Sequence, residues 1–415
     1  MSAVVDKWVD KLKDVPDIGN MTHMERMRNA MELQEADVVP CAPSLDLWQI
    51  LYAGYDFFQA WESVDVCTDA ALKTWADFRT DVIWPYFCPS FVVDPLLTAE
   101  QRKTWYDLRD GRSYVVFKEI SDDIDKAIEI FETKPWEKYG VGRLQDYLDH
   151  FEQLFEFSKR TGRKVPVMFG LSNVSNICDW MGVQNVLKWL VSEPNEKVHR
   201  LLRLVADYAY AGIEACRPYV DDGVEFVCIF GGSRTWGPKQ VAEFGIYDKI
   251  YAEKVAKLFK YPMHHLCGNN VPYTYDVLLK FPNVAMQFDQ SMMQLNWSWA
   301  KWCEWAARMA SGKQCLANSP TTQVAVHGKP EAIRTMIKEF IAHTTPYTTA
   351  IVMPGCQLST ATPTENVRVI VETAREYGKY PECKNVAKPE WEEDEFQESV
   401  KKLVGKYSNL TSTKA

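Results

Sequence analysis

The chain has 415 residues, of which 47% are hydrophobic and 25% charged, with a formal net charge of -9. That charge leaves no basic face to neutralise phosphates, which excludes nucleic acid as a partner, and it argues equally against a substrate carrying many carboxylates. No charge-free stretch of roughly 18 apolar residues occurs, so no membrane span is expected, and the start of the chain has no apolar core of a signal peptide.

Residues 1–34 read as a helical N-terminal extension. Short β-branched or apolar runs then alternate with long amphipathic stretches. Strands are predicted at Val38–Ala42, Asp81–Phe87, Val165–Gly170, Val224–Phe230, Tyr261–Cys267, Val284–Asp289, Gln314–Asn318 and Thr349–Cys356. Helical periodicity fills the intervals, as in Val186–Cys216, Ser298–Met309, Pro330–His343 and Pro363–Tyr377. The last of these opens on Pro363-Thr364-Glu365-Asn366, with proline near the first turn and an acidic residue behind it. Strands and helices alternating at this spacing imply parallel βαβ units, and eight such units imply an α/β fold, a closed (β/α)8 barrel over residues 35–388. An aromatic-rich insertion occupies about 88–164, between the second and third strands. A charged tail, 389–415, carries Glu392-Glu393-Asp394-Glu395 and then Lys401-Lys402.

The chemistry concentrates at Met263-His264-His265-Leu266-Cys267-Gly268-Asn269-Asn270 and, some 90 residues on, at Pro354-Gly355-Cys356. Side chains of a strand alternate, so His265 and Cys267 point the same way while His264 faces the barrel wall. His265 and Cys267 end the fifth predicted strand and Cys356 ends the eighth, which brings all three to the rim where barrel catalytic residues sit. An imidazole and two thiolates are a three-ligand zinc set, and three protein ligands leave the fourth position open for chemistry. Taken alone, an H-x-C pair reads equally as a core histidine beside buried cysteines. Eleven cysteines, an odd number without framework spacing, fit a reducing cytoplasm and reactive or metal-bound thiols rather than disulfides.

Several segments together resemble the uroporphyrinogen decarboxylase superfamily and, within it, the zinc-dependent corrinoid methyltransferases. His265-x-Cys267-Gly268 is similar to the H-x-C-G motif of the methylcobalamin:coenzyme M methyltransferases. Gly355-Cys356, Thr362-Pro363-Thr364-Glu365-Asn366 and Ala374-Arg375-Glu376-Tyr377-Gly378 resemble that family's closing segment. Glu25-Arg26-Met27-Arg28-Asn29-Ala30 with Val38-Val39-Pro40 resembles its opening, and Asn318-Ser319-Pro320 its seventh-strand turn. True decarboxylases carry arginines after the first strand to hold the substrate's carboxylates; here that stretch, Cys41-Ala42-Pro43-Ser44-Leu45-Asp46-Leu47-Trp48, has none.

The resemblance implies a zinc enzyme that moves a methyl group from a small donor to the cobalt(I) of a corrinoid. No D-x-H-x-x-G signature of a cobalamin domain is present, so the corrinoid is expected on a separate partner protein, as in the first component of an O-demethylase. The aromatic surplus favours a phenyl methyl ether as donor. Methyl transfer from methylcobalamin to a thiol such as coenzyme M, decarboxylation, and a barrel that only binds a tetrapyrrole are the alternatives. A homodimer is compatible with all of them.

Around the metal set, Asn269 and Asp289 are candidate catalytic residues, Asp289 either orienting a ligand histidine or acting as an acid; both serve equally well as helix caps. Trp48, Trp180 and Trp236 with Arg234 are candidate substrate contacts, although large aromatics at helical spacing are more often core. Cys315 on the seventh strand reads as a buried barrel residue and the reserve ligand.

Overall fold

The computed structural model describes residues 2–86, 93–101, 106–107, 111, 116–117, 119–138, 142–162, 164–231, 236–266, 279–288, 295–385 and 388–405. Six parallel strands form one sheet in chain order: Phe169–Ser172, Phe226–Gly231, Tyr261–Leu266, Ala285–Gln287, Cys315–Asn318 and Ala350–Val352. They are the third to eighth staves of a ring. Stave eight pairs in parallel with Cys41, Asp81 N–H donates to Cys41 O at 2.7 Å, and Ile83 pairs in parallel with Val167. The sheet therefore closes through the segments at 40–42 and 81–83, and the fold is the eight-staved α/β barrel.

The first two staves are shorter than the sequence predicts, each reduced among the described residues to a single parallel bridge to a barrel neighbour, with Val38 bridging Lys379 antiparallel outside the barrel. Pro40, Pro43 and Pro85 supply no N–H to a ladder, which explains the reduction. The eighth stops at Val352 for the same reason, with Pro354 two residues beyond.

The side-chain period of two sorts the staves into two cores. Phe226, Cys228, Tyr261, Met263, Ala285, Cys315, Ala317, Ile351 and Met353 fill the lumen. Their neighbours Val227, Ile229, Met286, Leu316, Ala350 and Val352 pack outward under the helices. Cys315 is among the lumen residues, as expected, and burial pushes its thiol up to about 12. That leaves it a small hydrophobe rather than a thiolate ligand.

The N-terminal helix His23–Met31 plugs the lower end of the barrel. Thr22 and Glu25 form a capping box at its start, and Met27, Ala30 and Met31 join the lumen cluster. On the same helix His23 Nδ1 lies 2.7 Å and Arg26 Nη1 3.1 Å from Asp81 Oδ1, while Cys41 N–H donates to Asp81 Oδ2 at 2.7 Å. Arg26 also pairs with Asp37 at 2.6 Å. At the far end of the chain, Glu304 accepts from Glu390 N–H and from Arg308, and Trp391 Nε1 donates to Lys301 O, so the start of the charged tail is docked. Its helix, Glu393–Val400, buries Phe396.

Burial pushes the Asp81 carboxyl up, but His23, Arg26 and the Cys41 N–H more than offset it and hold the group below its ordinary range. A depressed folded-state carboxylate stabilises fully above its unfolded pKa, and the contribution is lost as pH falls through the folded value. Removing it leaves Arg26 Nη1, His23 Nδ1 and the Cys41 N–H without their shared buried acceptor, although Arg26 keeps Asp37. Asp81→Ala is expected to cost about 3–5 kcal/mol in urea unfolding at neutral pH, and a smaller difference in acid.

Candidate metal and catalytic site

His265 continues the lumen series Tyr261, Met263 on the fifth stave, and Gln287 follows Ala285 on the sixth; the two staves pair His265 with Gln287. His265 Nδ1 is 2.7 Å from Gln287 Oε1. The amide's other end, Nε2, donates to Pro354 O. A carbonyl oxygen only accepts, so the amide orientation follows: Nε2 faces Pro354 and Oε1 faces the ring. An amide oxygen also only accepts, so His265 Nδ1 carries the proton. The lone pair is left on Nε2, which lies 3.8 Å from Cys356 Sγ.

Zinc–sulfur and zinc–nitrogen bonds of about 2.3 and 2.1 Å at a tetrahedral angle separate the two donor atoms by about 3.6 Å. The observed pair fits that span. Cys356 is also the only half-buried cysteine among the described residues; the others are buried. Phe230, paired with His265 across staves four and five, sets its ring edge-on to the imidazole at 5.7 Å. His264 faces the outer wall, as its parity requires, against Phe281 at 5.7 Å, and burial lowers it to about 3.

The predicted third ligand, Cys267, lies outside the described residues, as do Asn269, Asp289 and Arg234. Among the described residues no group of three or more His, Cys, Asp or Glu side chains is placed to hold a metal ion. His265 and Cys356 are the part of the predicted set that the structure brings together. The candidate aromatic contacts sit in packing. Trp48 is buried, donates to Thr362 O at 2.7 Å and stacks on Tyr52. Trp180 is buried edge-on to Tyr208, and Trp236 donates to Cys178 Sγ at 3.4 Å. The indole N–H groups of Trp48 and Trp236 are thus engaged within the protein, while Trp180 lines a small cavity with Tyr147, Tyr208 and Tyr251.

Two rim residues escape the sequence reading. Gln287 has the lumen parity and sits two before Asp289, so the alternation that placed His265 would have found it. Asp46 lies in the loop after the first stave, is 1% exposed, and is hydrogen-bonded by Gln357, the residue after Cys356. Ser44 O accepts from Leu358 N–H at 2.9 Å, so the first and last rim loops are pinned together. Burial pushes Asp46 up to about 7, with the Leu47 N–H and Gln357 opposing the shift only in part.

Residues 22–377 match the family model of uroporphyrinogen decarboxylase (URO-D), and the chain belongs to that family. Among solved structures it is similar to a methyltransferase from Methanosarcina mazei, at 15% sequence identity and a TM-score of 0.68 over 86% of this chain and 99% of that one. At that identity the likeness concerns the fold. No curated protein matches the sequence significantly.

Replacing Gln287 with Ala frees the imidazole to rotate and to place its proton on either nitrogen. Zinc affinity, measured by competition with a chromophoric chelator, is expected to fall about 10–100-fold while the melting temperature changes little.

Proposed function

We propose that this chain is a zinc-dependent methyltransferase that takes a methyl group from a small donor and delivers it to the cobalt(I) of a separate corrinoid protein. The observation that carries the reading is the His265 Nε2–Cys356 Sγ pair, at metal-ligand spacing on the catalytic rim, with the imidazole proton fixed on the other nitrogen. His265 and Cys356, with Cys267 from the sequence, would hold the metal. When bound, zinc supplies a Lewis acid for a departing oxygen, or keeps a thiol deprotonated if the substrate is one.

The rest of the work belongs to the chain. Gln287 locks the ring through a single amide whose far end grips Pro354, so the segments carrying His265 and Cys356 move together or not at all. Phe230 packs edge-on against the imidazole. The first rim loop, Cys41–Trp48, offers no arginine to grip the polycarboxylate that a decarboxylase of this family would take. These features favour a neutral donor, and a phenyl methyl ether suits the aromatic content. No helix among the described residues is long and apolar enough to cross a membrane, and the free cysteines suit a reducing cytoplasm.

The test is metal analysis of the purified protein together with the spectrum of a cobalt(I) corrinoid protein offered candidate ethers. Growth of the methylcobalt spectrum is the expected result. Cys356→Ser is expected to weaken zinc retention by at least about tenfold and to abolish transfer. Turnover unaffected by Cys356→Ser, or ready methylation of a thiol from methylcobalamin with no ether accepted, would overturn the reading.

A further inference from the structure

Among the described residues, buried polar atoms without partners gather at the rim on two staves that flank the eighth. Ser44 Oγ and Asp46 Oδ1 belong to the loop after the first stave, and Asn318 Nδ2 and Ser319 Oγ to the end of the seventh; each lacks a hydrogen bond. The eighth stave, carrying Cys356, runs between them. Asp46 is the most demanding of the four. Among the described residues no lysine, arginine or histidine pairs with it; Gln357 Nε2 hydrogen-bonds Oδ2, the Leu47 N–H and Ser44 offset its burial only in part, and the residue is 1% exposed. Gln357 directly follows Cys356, so its hydrogen bond sets the Asp46 carboxyl beside the rim loop that carries Cys356. A carboxyl so placed does not stabilise the fold by pairing, and the fold gains nothing by burying it unpaired.

We propose that Asp46 is the acid of this site: its carboxyl hydrogen-bonds, through Oδ1, the oxygen from which the methyl group departs, and gives that oxygen its proton. The proposal rests on the methyl-ether reading above. The methyl–oxygen bond breaks with its electron pair staying on oxygen, and the cobalt(I) electron pair forms the new bond to carbon. The proton on Asp46 Oδ1 passes to that oxygen, releasing an alcohol or phenol. Asp46, left as the carboxylate, recovers a proton from solvent once the product leaves. Gln357 keeps Oδ2 occupied, so the proton and the open lone pairs are directed to the Oδ1 side. Ser44 Oγ is a second polar atom for the same oxygen or for a neighbouring ring substituent.

Zinc-loaded wild type and Asp46→Asn are compared with methyl ethers of phenols of increasing acidity, from unsubstituted to nitrophenol. A poor leaving group needs the proton and a good one does not. Asp46→Asn is expected to lose about 10²–10⁴-fold in rate with the unsubstituted ether and little with the nitro ether, while zinc content and donor affinity stay those of wild type. On wild type alone, a solvent deuterium isotope effect is expected for the poor leaving groups and not for the good ones, and it needs no folded variant. A loss of the same size for every ether, no loss at all, or an isotope effect that ignores the leaving group would overturn the assignment of Asp46 and leave the methyltransferase reading standing. Wild type that transfers from no ether would take down both.

Discussion

In a closed parallel barrel every stave residue has one of two addresses, lumen or outer wall, and a neighbour two residues away shares its address. Everything at this site follows from that constraint. His265 shares the lumen with Met263 and Tyr261, so the ring cannot be withdrawn from the rim without shifting the whole stave by one residue. Gln287 shares the lumen with Ala285, and the parallel register sets it beside His265. The hydrogen-bonded line Pro354–Gln287–His265–Cys356 thus joins two staves in register to the loop that follows the eighth, and its chemical content, one proton on Nδ1 and one lone pair on Nε2, comes from an uncharged amide.

The same alternation explains what was legible in the sequence. Period and spacing are local properties, and they yield eight staves, the lumen side of His265, the wall side of His264 and the inert role of Cys315. Stave lengths were less legible, because Pro40, Pro43 and Pro85 interrupt ladders that their apolar neighbours otherwise favour. Asp46 was in plain view, in a loop read for the arginines it lacks. Nothing local marks it, because its significance lies in burial and in the approach of Gln357, 311 positions away in the chain. The indoles of Trp48 and Trp236 were hard to read for the converse reason: a large ring near a rim loop reads alike whether it lines a pocket or seals a wall, and here the N–H partners are Thr362 O and Cys178 Sγ.

Two buried aspartates show how the fold divides its polar groups. Asp81, at the closed lower end, meets an imidazole, a guanidinium and a backbone N–H, and these contacts outweigh the cost of burial. Asp46, at the open end, meets no charged partner among the described residues, and the Gln357 amide, the Leu47 N–H and Ser44 leave it raised to about 7. Burial alone is comparable; the partners differ. An acid held where its folded-state pKa is raised costs the protein stability as pH rises from the ordinary carboxylate range toward 7, since the unfolded chain ionises first. A fold that stabilises its lower end with one aspartate and gives up stability at its upper end with another is polarised along the barrel axis. The His265–Cys356 pair stands at the end where stability is given up, which is where strained and unsatisfied groups are expected to gather around chemistry.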